Sequence, residues 1–404
     1  MTRSDPRPPR EAYVWIWLPG ATDPVVAGKL TAEGKDLLFN YGRSYLEKQG
    51  AISLYDEELP LRPGVMLPRP GLHLPGCIRD ASPDAWGRRV LMNVLLGQRG
   101  DTGVDDLDEL TCLLESGSDR IGALDFQRSA KEYVPRDTGA ASLDELLNLA
   151  ERVEKGAPLS RELDQAFRHG TSIGGARPKA AVQGEKRRYI AKFSSSTDTY
   201  SVVKAEYVAM RLAALCGLDT APVRMTRALD RDVLLVERFD RVATDAGMRR
   251  RMMLSALTIL GLGSMTARYA SYQDLAEIIR HRFTDAAKTL EELFGRMVFN
   301  ILCGNTDDHA RNHAAFWDGT MLSLTPAFDI CPQRRTGNEA SQAMLISGQN
   351  RMSRISACLA GAHHFLLSPQ QARAVVEHQV QAIGTYWCQV CDEARVSQVD
   401  RNLF

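Results

Sequence analysis

The stretch "EELFGRMVFNILCGNTDDHARNHAAFWDGTMLSLTPAFDICP", residues 291–332, admits few local folds. Leu293, Met297 and Ile301 recur at helical spacing, and Gly304 supplies a C-terminal stop. Beyond it, "HAAFW" and "MLSL" are two strand-like runs joined by Asp318-Gly319, a strong short-range hairpin signal. "NTDDHARN" is therefore a loop between a helix and a hairpin. Closing the hairpin carries Asp307 and Asn312, at its entrance, toward Asp329 at its exit. A carboxylate and a carboxamide converging with another carboxylate suit hard, oxygen-seeking Mg²⁺ carrying nucleotide phosphates. The aspartate left over is placed to receive a hydroxyl proton.

Composition sets the frame. A chain of 404 residues, 44% apolar and 25% charged, buries a sizeable core in two or three lobes. Fifty basic and fifty acidic residues cancel, so nothing calls for independent binding to nucleic acid or an acidic membrane. The polar N-terminus has no apolar h-region and no segment approaches a membrane span, which predicts a cytoplasmic protein without a membrane partner. Eight cysteines scattered through apolar segments suit reduced, buried thiols; Cys388 and Cys391 form the one CxxC, without a second pair to make a zinc site.

The pattern along the chain predicts an α+β protein: a small β-rich N-terminal lobe, then a two-lobed region with a mostly helical C-terminal half. After a disordered residues 1–13, "YVWIWLPG" alternates as a half-buried strand, followed by strands in "VVAGKL" and "AISLYD". Residues 58–76 are proline- and glycine-rich and extended, and "SPDAWGRRVLMNVLL" reads as a helix capped by Ser82. The β-rich lobe is expected over 14–142, a second lobe with a Gly-rich loop and a hinge over 143–240, and a helical lobe over 241–404.

Four further features precede the hairpin. "GTSIGGARPKAAV" offers glycines whose freed N–H groups cradle an anion, with Arg177 and Lys179 adding charge. "YIAKF" puts Lys192 on a strand, and Glu206 sits near the start of the next helix, where the dipole suits a carboxylate on its own. "RDVLLVERFDR" is a buried strand that runs out into charge, as an inter-lobe linker does. Gly-rich turn, strand lysine, helix glutamate, linker strand, an Asp and Asn five apart, then a metal aspartate is the order found in phosphoryl-transfer enzymes built like protein kinases.

With "SIGGARPK", "YIAKF", "LLVERFDR", "NTDDHARN" and "LTPAFDICP" placed, the chain resembles the HipA-like serine/threonine kinase toxins of bacterial toxin–antitoxin systems over nearly its whole length. The resemblance implies ATP and Mg²⁺ as cofactors, Asp307 as catalytic base, and Asn312 and Asp329 as metal ligands. It implies that Lys192 meets the nucleotide phosphates and that the backbone of Glu237 and Phe239 meets adenine. Ser172, Ile173, Gly174, Gly175 and Lys179 would form the phosphate-binding turn, with His309 in the catalytic motif as a chemical or a bracing group. Ser172 matches a serine autophosphorylated in trans, and Glu206 is a candidate ion-pair partner for Lys192. Expected partners are a helix-turn-helix, HipB-like antitoxin, DNA only through that antitoxin, and a protein substrate of translation such as an aminoacyl-tRNA synthetase. The chain lacks the GxGxxG and His-Arg-Asp of eukaryotic-type kinases, and Asp308 stands where a glycine is common in the family. Either aspartate can be argued as base; the five-residue spacing to Asn312 favours Asp307. A kinase-fold scaffold that only docks an antitoxin and co-represses an operon, or a small-molecule kinase, is the alternative.

Overall fold

The computed structural model describes residues 8–96, 107–136, 141–157, 175–195, 198–334, 337 and 339–403. The chain divides into two compact units. One comprises Met1–Ser196 with Asp240–Met253, the other Thr197–Phe239 with Leu254–Phe404.

The first unit begins with an antiparallel sheet of order β3-β2-β1-β4, built from β1 (Glu11–Ile16), β2 (Val25–Glu33), β3 (Asp36–Tyr41) and β4 (Leu124–Gln127). β1 starts inside the stretch read as loose. It is also not half-buried: Trp15 and Trp17 are buried along with Val14 and Ile16. Each indole N–H is satisfied, by Ser129 O at 3.1 Å and Thr22 O at 3.0 Å, and Tyr133 packs on both rings. The predicted strand "AISLYD" does not form. Its backbone is taken by phenols instead, Leu54 N–H donating to Tyr41 Oη and Tyr45 Oη donating to Ile52 O.

Helix α1 (Ala85–Leu96) starts too late for Ser82 to cap it. Asp84 immediately precedes it, accepting at its carbonyl from Arg88 N–H, while the Ser82 hydroxyl turns to Glu109 on α2 (Glu109–Glu115). Helix α3 (Leu143–Glu154) opens with a reciprocal Ser142–Glu145 capping box. Next comes the hairpin of β5 (Lys179–Gln183) and β6 (Arg188–Phe193).

The surprise of this unit is its last piece. Residues Arg241–Thr244 and Gly247–Arg250 pair as a ribbon whose root is a buried charge cluster. Asp240 accepts from Gly122 N–H and from Arg241, and Arg241 also reaches Asp119 and Gly122 O. Beside them Asp125, fully buried, is gripped by Arg120 at 2.9 Å and Arg136 at 2.6 Å. Burial alone would raise the Asp125 carboxyl, but the two guanidiniums hold it below the usual carboxylate range.

In the second unit, α4 (Val202–Leu215) ends at Gly217, whose φ of +84° provides the left-handed turn. Val208 and Leu212 on α4 pack against Leu234 and Val236 of β8 (Arg231–Glu237), which pairs antiparallel with β7 (Val223–Ala228). The same core takes in Phe299 from α6 (Ala286–Leu302), which follows α5 (Tyr272–Arg282). The hairpin of β9 (Ala314–Trp317) and β10 (Leu322–Leu324) comes next. The long α7 (Pro369–Glu393) closes the unit, with Ser368 as cap and Pro369 at its first turn. It carries the CxxC with Cys388 exposed and Cys391 buried, and all eight cysteines are free thiols.

Candidate active site

The loop after α6 is set by the helix end. Gly304, at φ +74°, lets its own N–H reach Ile301 O and the Asn305 N–H reach Asn300 O, the paired bonds of a Schellman motif. Asn305 is then pinned by its side chain to Asn300 Oδ1 at 2.9 Å, and its carbonyl accepts from Gln342 Nε2 at 3.1 Å. The chain emerges with Asp307 exposed and Asp308 buried.

Those neighbours have different surroundings. Asp308 is 1% exposed; one oxygen accepts from the Tyr272 hydroxyl and the other lies 2.8 Å from His313 Nε2. Asn300 Nδ2 donates to the same phenol, whose pKa is driven well above its ordinary value by burial and then by the Asp308 charge. Asp308 is thus an internal brace between α5, α6 and the loop. Asn312 turns back over the loop, Nδ2 donating to Asp307 O at 3.3 Å and N–H to His309 O at 2.8 Å, so its Oδ1 points away from that carbonyl. The His309 Nδ1 is buried with no hydrogen-bond partner among the described residues.

The facing segment is tied at both ends to the same loop. Thr325 N–H donates to Ala314 O at 3.0 Å and Gln333 N–H to Gly304 O at 3.0 Å. Buried Arg296 donates to Thr325 O and Asp219 O, and the chain at Ala327 bridges to Thr220. Asp329 follows in the left-handed region at φ +60°, a conformation a non-glycine residue holds only where its surroundings impose it. Asp308, Asn312 and His313 share the walls of a cavity of about 10 Å³ with Phe328 and Ile330, the two neighbours of Asp329. The structure therefore lays the loop of Asp307 and Asn312 directly against that of Asp329.

The linker residues approach the same place. Glu237 spends its N–H on Pro222 O, and the Phe239 ring packs edge-on to Phe316 of β9 at 5.9 Å and against Phe328 at 5.6 Å. Phe316, Phe328, Tyr272, His313 and Arg296 were not singled out by sequence reading. Their only signal is aromatic or apolar context, which they share with ordinary core positions.

In the first unit Lys179 and Lys192 stand opposite each other across β5 and β6, and so project to one face. Lys179 is buried, and its ammonium folds over Gly175 so closely that a Cβ there would lie 1.7 Å from Nζ. Gly175 has φ +111°, and its carbonyl accepts from Trp86 N–H while the Trp86 indole donates to Lys179 O. Trp86, from α1, is thus a support of the Gly-rich turn that the sequence did not reveal. Lys192 is half-buried; Glu206, on α4 of the second unit, is 4% exposed. Ser172, Ile173 and Gly174 lie outside the described residues.

Fold and site together define a kinase-like α+β protein with an Asp-Asn loop set against an aspartate loop. Residues 18–127 match the HipA N-terminal domain and residues 171–387 the HipA-like C-terminal domain. The chain belongs to the HipA-like family. The putative kinase Y4mE of Sinorhizobium fredii is 32% identical over 147 residues, 35% of this chain and 33% of that protein. The serine/threonine-protein kinase toxin HipA of Shewanella oneidensis is 26% identical over 184 residues, 39% of this chain and 42% of that protein. Both matches thus span less than half of the relative. A solved complex of HipA, HipB and operator DNA from Shewanella oneidensis superposes with a TM-score of 0.70 over 95% of this chain and 91% of that chain, at 18% identity, a likeness of fold. Among the described residues no helix is long and apolar enough to cross a membrane.

Proposed function

We propose that the protein is an ATP- and Mg²⁺-dependent serine/threonine protein kinase. The observation that carries this is the division between neighbours: Asp308 is consumed as a buried brace, while Asp307 is left exposed beside Asn312 and the loop of Asp329. The donor set of Asn312 and Asp329 fits a hard cation, being a carboxylate and a carboxamide oxygen without thiol or imidazole. Asn312 and Asp329 hold Mg²⁺ with the nucleotide phosphates, and Asp307 accepts the proton of the attacking hydroxyl. Magnesium, when bound, neutralises charge on the phosphates. Lys192 and Lys179, on one face of their hairpin, and Gly175 receive the phosphates, with Ser172, Ile173 and Gly174 completing the turn. The Glu237 carbonyl and the Phe239 N–H receive the adenine edge; the N–H of Glu237 is already spent. Glu206 is the candidate partner of Lys192, and His309 braces the loop through its carbonyl.

Both curated relatives carry kinase names, one of them a toxin's, which supports the activity and a growth-arresting role. On this reading the target is a protein of translation, Ser172 is the self-inactivating site, and about two added charges in the phosphate-binding turn oppose ATP. The HipA in the solved complex is bound with HipB and operator DNA, which supports a HipB-like antitoxin as partner and DNA contact through it; a cytoplasmic location is part of the same reading. That complex also favours the second reading, an antitoxin-docking module without phosphotransfer. Intact mass and peptide mapping after incubation with Mg²⁺ and ATP separate the two. Phosphate on the wild type but not on Asp307→Asn is expected; no phosphate on either, with no ATP binding, selects the docking module.

A further inference from the structure

We propose that Met265, Arg268, Tyr269, Arg311 and Arg351 form the docking surface for the phosphoacceptor protein, and that it takes an acidic segment carrying an apolar side chain. The inference rests on the kinase reading for the meaning of the surface, but its geometry stands alone.

These residues ring the Asp307 loop. Arg311, exposed within that loop, donates to Ser264 Oγ at 2.9 Å, at the start of a short 3₁₀ turn, Ser264–Tyr269. Arg351 Nη2 donates to Arg268 O at 2.8 Å, at the far end of the same turn. The Arg351 carbonyl in turn accepts from Gln342 N–H, and Gln342 and Ala343 donate to Asn305 O and Thr306 O, the residues just before Asp307. The circuit closes on the loop from which it began.

The five residues of this surface include three cations and no carboxylate. Residues 262–273 and 340–354 hold Arg268, Arg351 and Arg354 and no carboxylate. Arg354 is paired with Glu339, whereas Arg268 and Arg351 make no ion pair among the described residues. Arg268 lies against the Tyr269 ring at 4.9 Å instead. Within the ring Met265 is 88% and Tyr269 51% exposed, where most large apolar side chains of this unit are covered. Cations spaced around exposed methionine and tyrosine complement a carboxylate-bearing, partly apolar peptide. They suit nucleic acid less well, because three cations neutralise little phosphate and the chain carries no net charge.

The test uses the full chain and a fluorescein-labelled random copolymer of glutamate and tyrosine, followed by anisotropy, with single-stranded DNA of matched length beside it. Saturable copolymer binding is expected. Arg268→Gln with Arg351→Gln should weaken it about tenfold, and Met265→Ala with Tyr269→Ala several-fold. The stabilisation of the melting temperature by Mg²⁺ and ATP should stay unchanged. Because Arg351 also holds the Arg268 carbonyl, Arg268→Gln alone, at an exposed side chain, is the control for folding. Absent copolymer binding, binding indifferent to these changes, or DNA bound as tightly as the copolymer would overturn the proposal. Phosphotransfer is read separately. If the wild type transfers no phosphate but the variants still lose the copolymer, the surface stands and the kinase reading falls.

Discussion

Asp307→Asn and Asp308→Asn remove the same charge one residue apart, and the structure gives them opposite consequences. Asp307 is exposed, so its amide variant should melt as the wild type does while phosphotransfer, followed by radiolabel or intact mass, falls by about a hundredfold or more. Asp308 takes the Tyr272 hydroxyl and faces His313 in a buried site, so an amide there keeps both contacts only by moving the His313 proton to Nδ1, which is buried with no hydrogen-bond partner among the described residues. Asp308→Asn should cost about 1–3 kcal/mol in urea unfolding. Sequence alone separated the two only through the five-residue spacing to Asn312. The residues that make Asp308 a brace lay beyond reach: Tyr272 and Asn300 come from the two preceding helices, and nothing local in the chain links them to the loop.

At the scale of elements, periodicity and turn chemistry were legible where one strand or helix decides its own fate. The buried β8, the α6 stop at Gly304 and the β9–β10 hairpin follow from local residues. Asp318 closes that hairpin as expected, though by accepting from Thr320 and Met321 N–H groups in a four-residue loop. "AISLYD" failed because two distant tyrosines compete for its backbone, and β1 was misjudged because indole N–H groups find partners in loops. The Phe239 ring, between Phe316 and Phe328, was equally hidden. Phe239→Ala should raise the KM for ATP several-fold and lower the melting temperature, since each ring contact contributes about 0.5–1.5 kcal/mol beyond its area. Asp125 supplies a pH test. Its folded-state pKa lies below its unfolded value of about 3.9, so its contribution is present above that pH and is lost as pH falls through the folded pKa. Unfolding midpoints in urea should therefore drop from pH 5 downward. Asp125→Asn should be destabilised at neutral pH by about 3–5 kcal/mol, because the buried Arg120 and the half-buried Arg136 lose their counter-charge.

Across the whole molecule the boundaries suggested by sequence treat residues 14–142 as a lobe that precedes the rest. Contacts argue that this lobe is completed by later chain. The ribbon after the linker strand returns to it, and Arg241, 2% exposed at its side chain, finds Asp119 and Gly122 O only there. Arg250 stacks on Trp17 at 3.6 Å and donates to Ser118 O. The Gly-rich turn leans on the same lobe, with Gly175 O and Lys179 O both engaged by Trp86. A chain starting at residue 143 would therefore strand a buried arginine and aspartate beside the linker and release the two carbonyls of the Gly-rich turn that Trp86 holds. Such a truncation should be recovered as an aggregate or a poorly cooperative unfolder by circular dichroism, with no melting shift on adding Mg²⁺ and ATP. A cooperative, ATP-stabilised truncation would show instead that the N-terminal lobe is dispensable and that the ribbon finds other partners. The milder change Trp86→Phe keeps an aromatic ring while removing the indole bond to Lys179 O and part of the buried ring volume, so it should leave the fold cooperative while weakening ATP binding; equal affinity by calorimetry would detach that lobe from ATP binding.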